Sequence, residues 1–220
     1  MRLPTLLLPL VALFSSSTAQ AQVSPYTDTR TGISFQGISG SNGYRLGLVL
    51  PPANTTSSDV LVQLVGQGKG WAGVSLGGSM LNHLLVAAWP NGQNVMGSLR
   101  FTANYGSPPV APATTPARSL LPILNGTYVN STHFSYTFLC KSCLTTDGKT
   151  FAPGVTSAPI GWAQAASAPV QVTNAATALG RHNVQGLVRD VDLSVARKGE
   201  FAKWAGYASA TVRVGRRWDA

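Results

Sequence analysis

Short apolar or alternating runs dominate this chain: Gly32 to Ile38, Tyr44 to Leu50, Val60 to Val65, Trp71 to Leu76, Leu84 to Trp89 and Val95 to Ala103, separated by Gly, Asn, Pro or Ser. Runs of this length, with no helical pattern between them, do not build strand-helix-strand units. They read as the strands of a β-sandwich or barrel, with two packed sheets the simplest fit. A second series comprises Thr127 to Cys140, where Phe134, Tyr136 and Phe138 share one face, a piece near Trp162, Val184 to Leu193, and Ser209 to Val214. One helical pattern is present, with Ser194 as the cap of a turn carrying Val195, Ala196, Phe201 and Trp204. The proline-rich stretch Ser107 to Pro116 reads as a surface crossover between sheet edges. No repeat of ~20–50 residues is apparent, which disfavours a solenoid or propeller. The expected fold is all-β, one antiparallel β-sandwich.

The first residues carry the marks of an export leader: Arg2 supplies positive charge, Leu3 to Phe14 an apolar core, and Ala19-Gln20-Ala21 a small-x-small cleavage site. Residues 1–21 are therefore read as a signal peptide and 22–220 as a single domain with room for a substantial core. No later stretch reaches the ~20 apolar residues of a membrane helix, so a secreted protein with no transmembrane anchor is expected. Sequons at Asn54, Asn125 and Asn130 fit a glycosylating secretory route and are candidate glycan carriers on surface loops.

Sixteen Lys and Arg face seven Asp and Glu, a formal net charge of +9. Arg181, Arg189, Arg197, Lys198, Lys203, Arg213, Arg216 and Arg217 crowd toward the end of the chain. They form either a solvated basic face or a docking surface for an acidic protein, a polyanion or an acidic cell wall. Nucleic acid is disfavoured, because no recognition helix, zinc spacing or RNA-binding consensus accompanies the charge. So few acids also give little support to a carboxylate pair for glycoside cleavage.

Cys140 and Cys143 form CKSC at the end of an alternating run. In an oxidising compartment the plain reading is a short-loop disulfide. A redox dithiol would open a helix, whereas Leu144 to Gly148 reads as a turn. Zinc needs two further ligands. Covalent haem attachment needs histidine directly after the second cysteine, and position 144 is Leu.

Met80 follows Gly77-Gly78-Ser79 in a glycine-rich turn between two apolar runs, where a flat prosthetic group can approach the backbone. His182 sits in GRHNVQG, again beside glycines, with Arg181 placed to neutralise a propionate. A thioether and an imidazole on opposite faces of one iron leave no open coordination position, which favours outer-sphere electron transfer over chemistry at the metal. The plainer readings are a methionine that packs and a loop histidine. Met96 reads as a packing residue, His133 as a surface strand residue, and His83 as too close to Met80 to serve the opposite face. Two other classes compete. Gly73-Val74-Ser75-Leu76-Gly77 is a literal G-x-S-x-G, which would make Ser75 an esterase nucleophile with Asp147 and His182 following in hydrolase order, but no helix follows it. A haem-free secreted sandwich binding carbohydrate or protein through exposed tryptophan is the other; Trp71 and Trp89 read as buried and Trp218 as exposed.

Four segments in order, WAGVSLGGSM with LLVAAWP, FLCKSC, IGWAQAASAP and HNVQGLVRDVDLSVA, resemble the secreted b-type cytochrome domain of fungal cellobiose dehydrogenase, the iron-reductase-like cytochrome family. The resemblance implies an immunoglobulin-like β-sandwich with noncovalent haem b, Met80 and His182 as axial ligands, and a disulfide between Cys140 and Cys143. It also implies an electron carrier rather than a stand-alone catalyst. A flavin dehydrogenase would be the electron donor and a copper polysaccharide monooxygenase the acceptor. The chain ends at Ala220 without a flavin domain or long linker, so the donor is expected to be a separate molecule. Its basic balance departs from the acidic surfaces usual in that family, so an acidic partner is expected.

Overall fold

The computed structural model describes residues 21–209. Strands β1 (Gln22–Thr27), β2 (Ser34–Ser39), β3 (Arg45–Val49) and β4 (Val60–Gln67) pair in succession. The chain then crosses to a second sheet for β5 (Trp71–Ser75), β6 (Leu85–Asn91) and β7 (Asn94–Arg100). It returns for β8 (Ser119–Pro122), β9 (Tyr128–Val129) and β10 (His133–Lys141), crosses again for β11 (Ser157–Ala165) and β12 (Val184–Asp192), and ends in helix α1 (Phe201–Ser209). The first sheet runs β1-β2-β3-β4-β10-β8 with β9 also on β10; the second runs β12-β11-β5-β6-β7. All these strand pairs are antiparallel and neither sheet closes on itself, giving a β-sandwich.

Alternation decides which side chains meet between the sheets. Leu46, Leu48, Val62, Leu64, Phe134, Tyr136 and Phe138 point inward from the first sheet onto Ala72, Val74, Val86, Ala88, Ile160 and Trp162 of the second. Tyr44 stacks on Trp162 with ring centroids 4.7 Å apart and donates its hydroxyl to the Gly73 carbonyl at 3.0 Å. Burial pushes that phenol well above its ordinary pKa, so it stays a donor. The outer face of the first sheet is half covered: Phe201, Trp204 and Ala208 of α1 pack on Ile33, Phe35, Val49, Leu61 and Leu139. A bridge delivers the helix there, with Leu50 N–H donating to Ala196 and Lys198 N–H to Leu50.

The expected runs become strands with ends shifted by a few residues, and Ser107 to Pro116 does cross between the sheets. Three features differ. The edge strand β1 is mostly exposed and polar, so it shows no burial pattern, and β8 is a short strand after the prolines. Asn130 splits the Thr127 to Cys140 run by accepting the N–H groups of Thr132 and His133 in a turn. The helix starts at Phe201, because Asp192 captures the backbone N–H and hydroxyl of Ser194 in an earlier turn. Ser209 is helical rather than the start of a strand, while 210–214, Arg213, Arg216, Arg217, Trp218 and residues 1–20 of the leader lie outside the described residues. Cys140 and Cys143 are joined as a disulfide.

Candidate functional site

The outer face of the second sheet carries unusually small side chains where a planar group would need flat ground. Register places Gly73 opposite Ala163 and Ala87, and Ser75 opposite Gly161, all with the outward parity of Trp71. Larger outward residues, Trp71, Leu85, Arg100 and Leu187, bound this floor. Above it lies a cavity of about 840 Å³, within the range of small-molecule and cofactor sites. Met80 and His182, more than a hundred positions apart in the chain, both line it.

The methionine arrives on the turn between β5 and β6, which is seated by close backbone approach. A β-carbon on Gly161 would overlap the carbonyl of Gly78, and one on Gly77 would overlap the His83 ring. Gly78 itself has a φ of 97°, the left-handed region that glycine tolerates. Ser75 donates its hydroxyl to the Ser79 carbonyl at 2.6 Å, Ser79 Oγ meets His83 Nδ1 at 3.0 Å, and Asn82 N–H donates to Thr102 at 2.8 Å. His83 thus supports the Met80 turn.

The histidine arrives on a long segment strapped across the same sheet. Trp89 Nε1 donates to the Val172 carbonyl at 2.8 Å, Ser107 Oγ accepts the Leu179 N–H at 2.9 Å, and Trp71 Nε1 donates to the Gly180 carbonyl at 3.1 Å. Beyond His182, Asn183 N–H donates to Gln164 and Asn183 Oδ1 accepts the Ala166 N–H. Arg100 is the central clamp: only 1% exposed, it donates to Ser98 Oγ, to the Pro108 carbonyl, and to the carbonyls of Ala175 and Thr177, at 2.7 to 2.8 Å. It therefore ties two lips of the cavity to β7, with no carboxylate partner among the described residues. Sequence reasoning passed over Arg100; a lone arginine at an outward position of a strand was the available signal.

Among the described residues no Asp or Glu lines the cavity. Burial, and secondarily the charge of Arg181, lowers the pKa of His182, which favours the neutral imidazole that a metal requires. Arg181 is exposed on the rim, and Tyr105, 83% exposed, stands at the mouth. Among the described residues no three His, Cys, Asp or Glu cluster as a metal site, and a Met/His pair needs no such cluster. The cavity thus has room for a flat, largely apolar group and places one thioether and one imidazole on its lining.

The remaining candidates take other roles. Ser75 ends β5 and is followed by a turn, not a helix, and its hydroxyl is spent on Ser79. Asp147 is outside the cavity lining, bonded to Thr145 and Lys149, which hold its carboxyl well below the usual range. The esterase reading therefore lacks both its elbow and its acid. Met96 packs beside Trp71 and Trp89. His133 opens β10 on the opposite sheet. Arg197 spends its guanidinium on the Pro51 and Val155 carbonyls and so contributes little to a basic face. Asn54, Asn125 and Asn130 are all exposed. Among the described residues no helix is long and apolar enough to cross a membrane.

The sequence profile described as "Cytochrome domain of cellobiose dehydrogenase" matches residues 26–203. The chain is 30% identical over 184 residues to a pyrroloquinoline quinone-dependent pyranose dehydrogenase of Coprinopsis cinerea, covering 79% of this chain and 24% of that protein. It thus spans about a quarter of the length of that curated relative. The solved cytochrome domain of Myriococcum thermophilum cellobiose dehydrogenase superposes with a TM-score of 0.73 at 31% identity, over 84% of this chain and 96% of that one. The cytochrome b domain of pyranose dehydrogenase from Coprinopsis cinerea gives a TM-score of 0.76 at 22% identity, over 86% and 97%, a likeness of fold.

Proposed function

Because the chain belongs to the cytochrome domain family of cellobiose dehydrogenase, we propose that it carries single electrons outside the cell through a noncovalent haem b held by Met80 and His182. The observation that carries this reading is that both residues line one cavity over a floor of glycine and alanine. Bound there, haem supplies an iron that changes oxidation state by one electron. Met80 would offer that iron a neutral, weakly donating sulfur, which would favour the ferrous state more than a second histidine does. His182 gives a neutral imidazole on a segment fixed by Trp71 and Arg100. Held by both residues, the iron would be closed to direct binding of substrate, which leaves outer-sphere electron transfer as the chemistry it would supply.

Met80 and His182 each stand on a segment whose backbone is anchored at several points, so little rearrangement accompanies a change of charge. That suits a carrier. The electron donor is a sugar dehydrogenase using flavin or, as in the Coprinopsis relative, a quinone; the acceptor is a copper polysaccharide monooxygenase or another redox protein. Arg181 on the rim and the +9 balance favour acidic docking partners. Mixing the haem-loaded protein with a flavin or quinone sugar dehydrogenase and its sugar tests this by stopped-flow absorbance. Haem reduction that slows as salt rises is expected; no reduction by either class contradicts the assigned donors.

A further inference from the structure

The half of the first sheet's outer face that α1 leaves open is a second concavity of about 390 Å³, on the side of the sandwich away from Met80 and His182. Two of its buried lining residues, Gln63 and Ser135, belong to a hydrogen-bonded polar network. Gln63 accepts the Tyr26 hydroxyl at 2.6 Å and donates to Thr137 Oγ1 at 2.9 Å, while Ser135 and Thr137 both donate to the Gly126 carbonyl at 2.9 Å. A satisfied buried network of this kind holds one shape. Two arginines flank the groove, Arg45 lying 5.1 Å from the Tyr26 ring centroid and Arg30 lying 4.0 Å from that of Tyr128. Neither belongs to an ion pair among the described residues. Rigid walls with aromatic edges and many hydrogen-bonding groups suit a hydroxyl-rich ligand better than a lipid or an apolar peptide.

The sequon at Asn130 opens onto one end of this groove. Asn130 Oδ1 accepts the Thr132 N–H at 2.9 Å, the Thr132 hydroxyl at 3.1 Å and the His133 N–H at 2.9 Å. The amide is therefore locked, and its Nδ2, the atom that carries an N-linked sugar, lies 3.3 Å from His133 Nε2. The Tyr128 hydroxyl converges on the same nitrogen at 3.1 Å, and Tyr128, Thr132 and His133 all line the groove. We propose that the groove is the bed of the innermost sugars of an N-glycan on Asn130, with Arg45 and Asn42 along its course. The glycan covers a polar face that the helix leaves bare.

The inference rests on the secretory reading above, and a host leader supplies that route independently of residues 1–21. The full chain is secreted from a eukaryotic host that adds high-mannose glycans, and occupancy is read by peptide mass mapping. An endoglycosidase that cuts between the two innermost sugars is then applied to native and denatured protein. Release from Asn130 should be slower in the native protein by about tenfold, the effect of a modest contact energy. Arg45→Ala with Tyr128→Ala should bring native release to within about twofold of denatured release without altering thermal unfolding of the rest. An unoccupied Asn130, equal release from native and denatured protein, or protection that survives the double substitution overturns the proposal. Failure of the haem assignment would show in the colour of the same preparation and leave this readout untouched.

Discussion

The indole nitrogen of Trp71 donates to the carbonyl of Gly180 at 3.1 Å, and the Trp71 ring meets the His182 imidazole edge-on with centroids 6.3 Å apart. The first residue of β5 thus positions a histidine more than a hundred residues away. Trp71→Phe keeps an apolar ring and removes the donor. Loss of that hydrogen bond is expected to cost about 1 kcal/mol of stability, read by thermal unfolding, and to weaken haem retention about fivefold, read by transfer of haem to apomyoglobin. Unchanged retention would contradict the positioning role.

Gly161 and Gly78 approach each other more closely than a side chain permits. Gly161→Ala forces the Met80 turn away from the sheet while leaving the core side chains in place. The expected result is loss of the methionine contribution to the visible spectrum with the far-ultraviolet circular dichroism retained. A spectrum identical to the parent would show that the turn position does not matter.

Arg100→Met removes a buried cation and takes the guanidinium donor from the carbonyls of Pro108 and Thr177, while the Ala175 carbonyl keeps only the Ser98 hydroxyl. The expected destabilisation is about 3 kcal/mol, measured by urea unfolding. Hydrogen exchange should rise first in 105–109 and 172–182, the two segments the guanidinium joins. A uniform rise across both sheets would contradict the clamp.

His182 is held below its ordinary pKa of 6.5, chiefly by burial and then by Arg181. The unfolded chain therefore binds this proton at higher pH than the folded one, so its contribution to stability is present above about 6.5 and is lost as pH falls toward the folded value. Stability of the apoprotein, read by urea unfolding, should therefore fall as pH drops below about 6.5, and His182→Gln should remove that part of the fall. Equal acid sensitivity in the parent and His182→Gln apoproteins would contradict this.

How much of this was legible in the sequence depends on the range of each interaction. The inward faces of β3, β4, β6 and β10 follow from alternation, because burial on one side of a strand writes itself into every second residue. Met80 and His182 stood out because glycine surrounds each. The floor of the cavity did not, since Gly73, Ala87, Gly161 and Ala163 become neighbours only once strand register is set. Arg100 was equally hidden: apart from the Ser98 hydroxyl its acceptors are backbone carbonyls up to 77 residues distant, which leave no mark on side-chain identity. Edge strand β1 is mostly exposed, so burial writes no alternation into it, and α1 begins late because Asp192 takes the Ser194 groups in an earlier turn.

The most direct measurement is the visible spectrum of haem-supplemented protein, oxidised and reduced, for the parent, Met80→Ala, His182→Ala and the double variant. The parent should show a Soret band and, on reduction, the sharp α and β bands of six-coordinate low-spin iron; each single variant should lose them, and the double variant should retain no haem through gel filtration. A colourless parent, or a double variant that keeps the parent spectrum, would contradict the account.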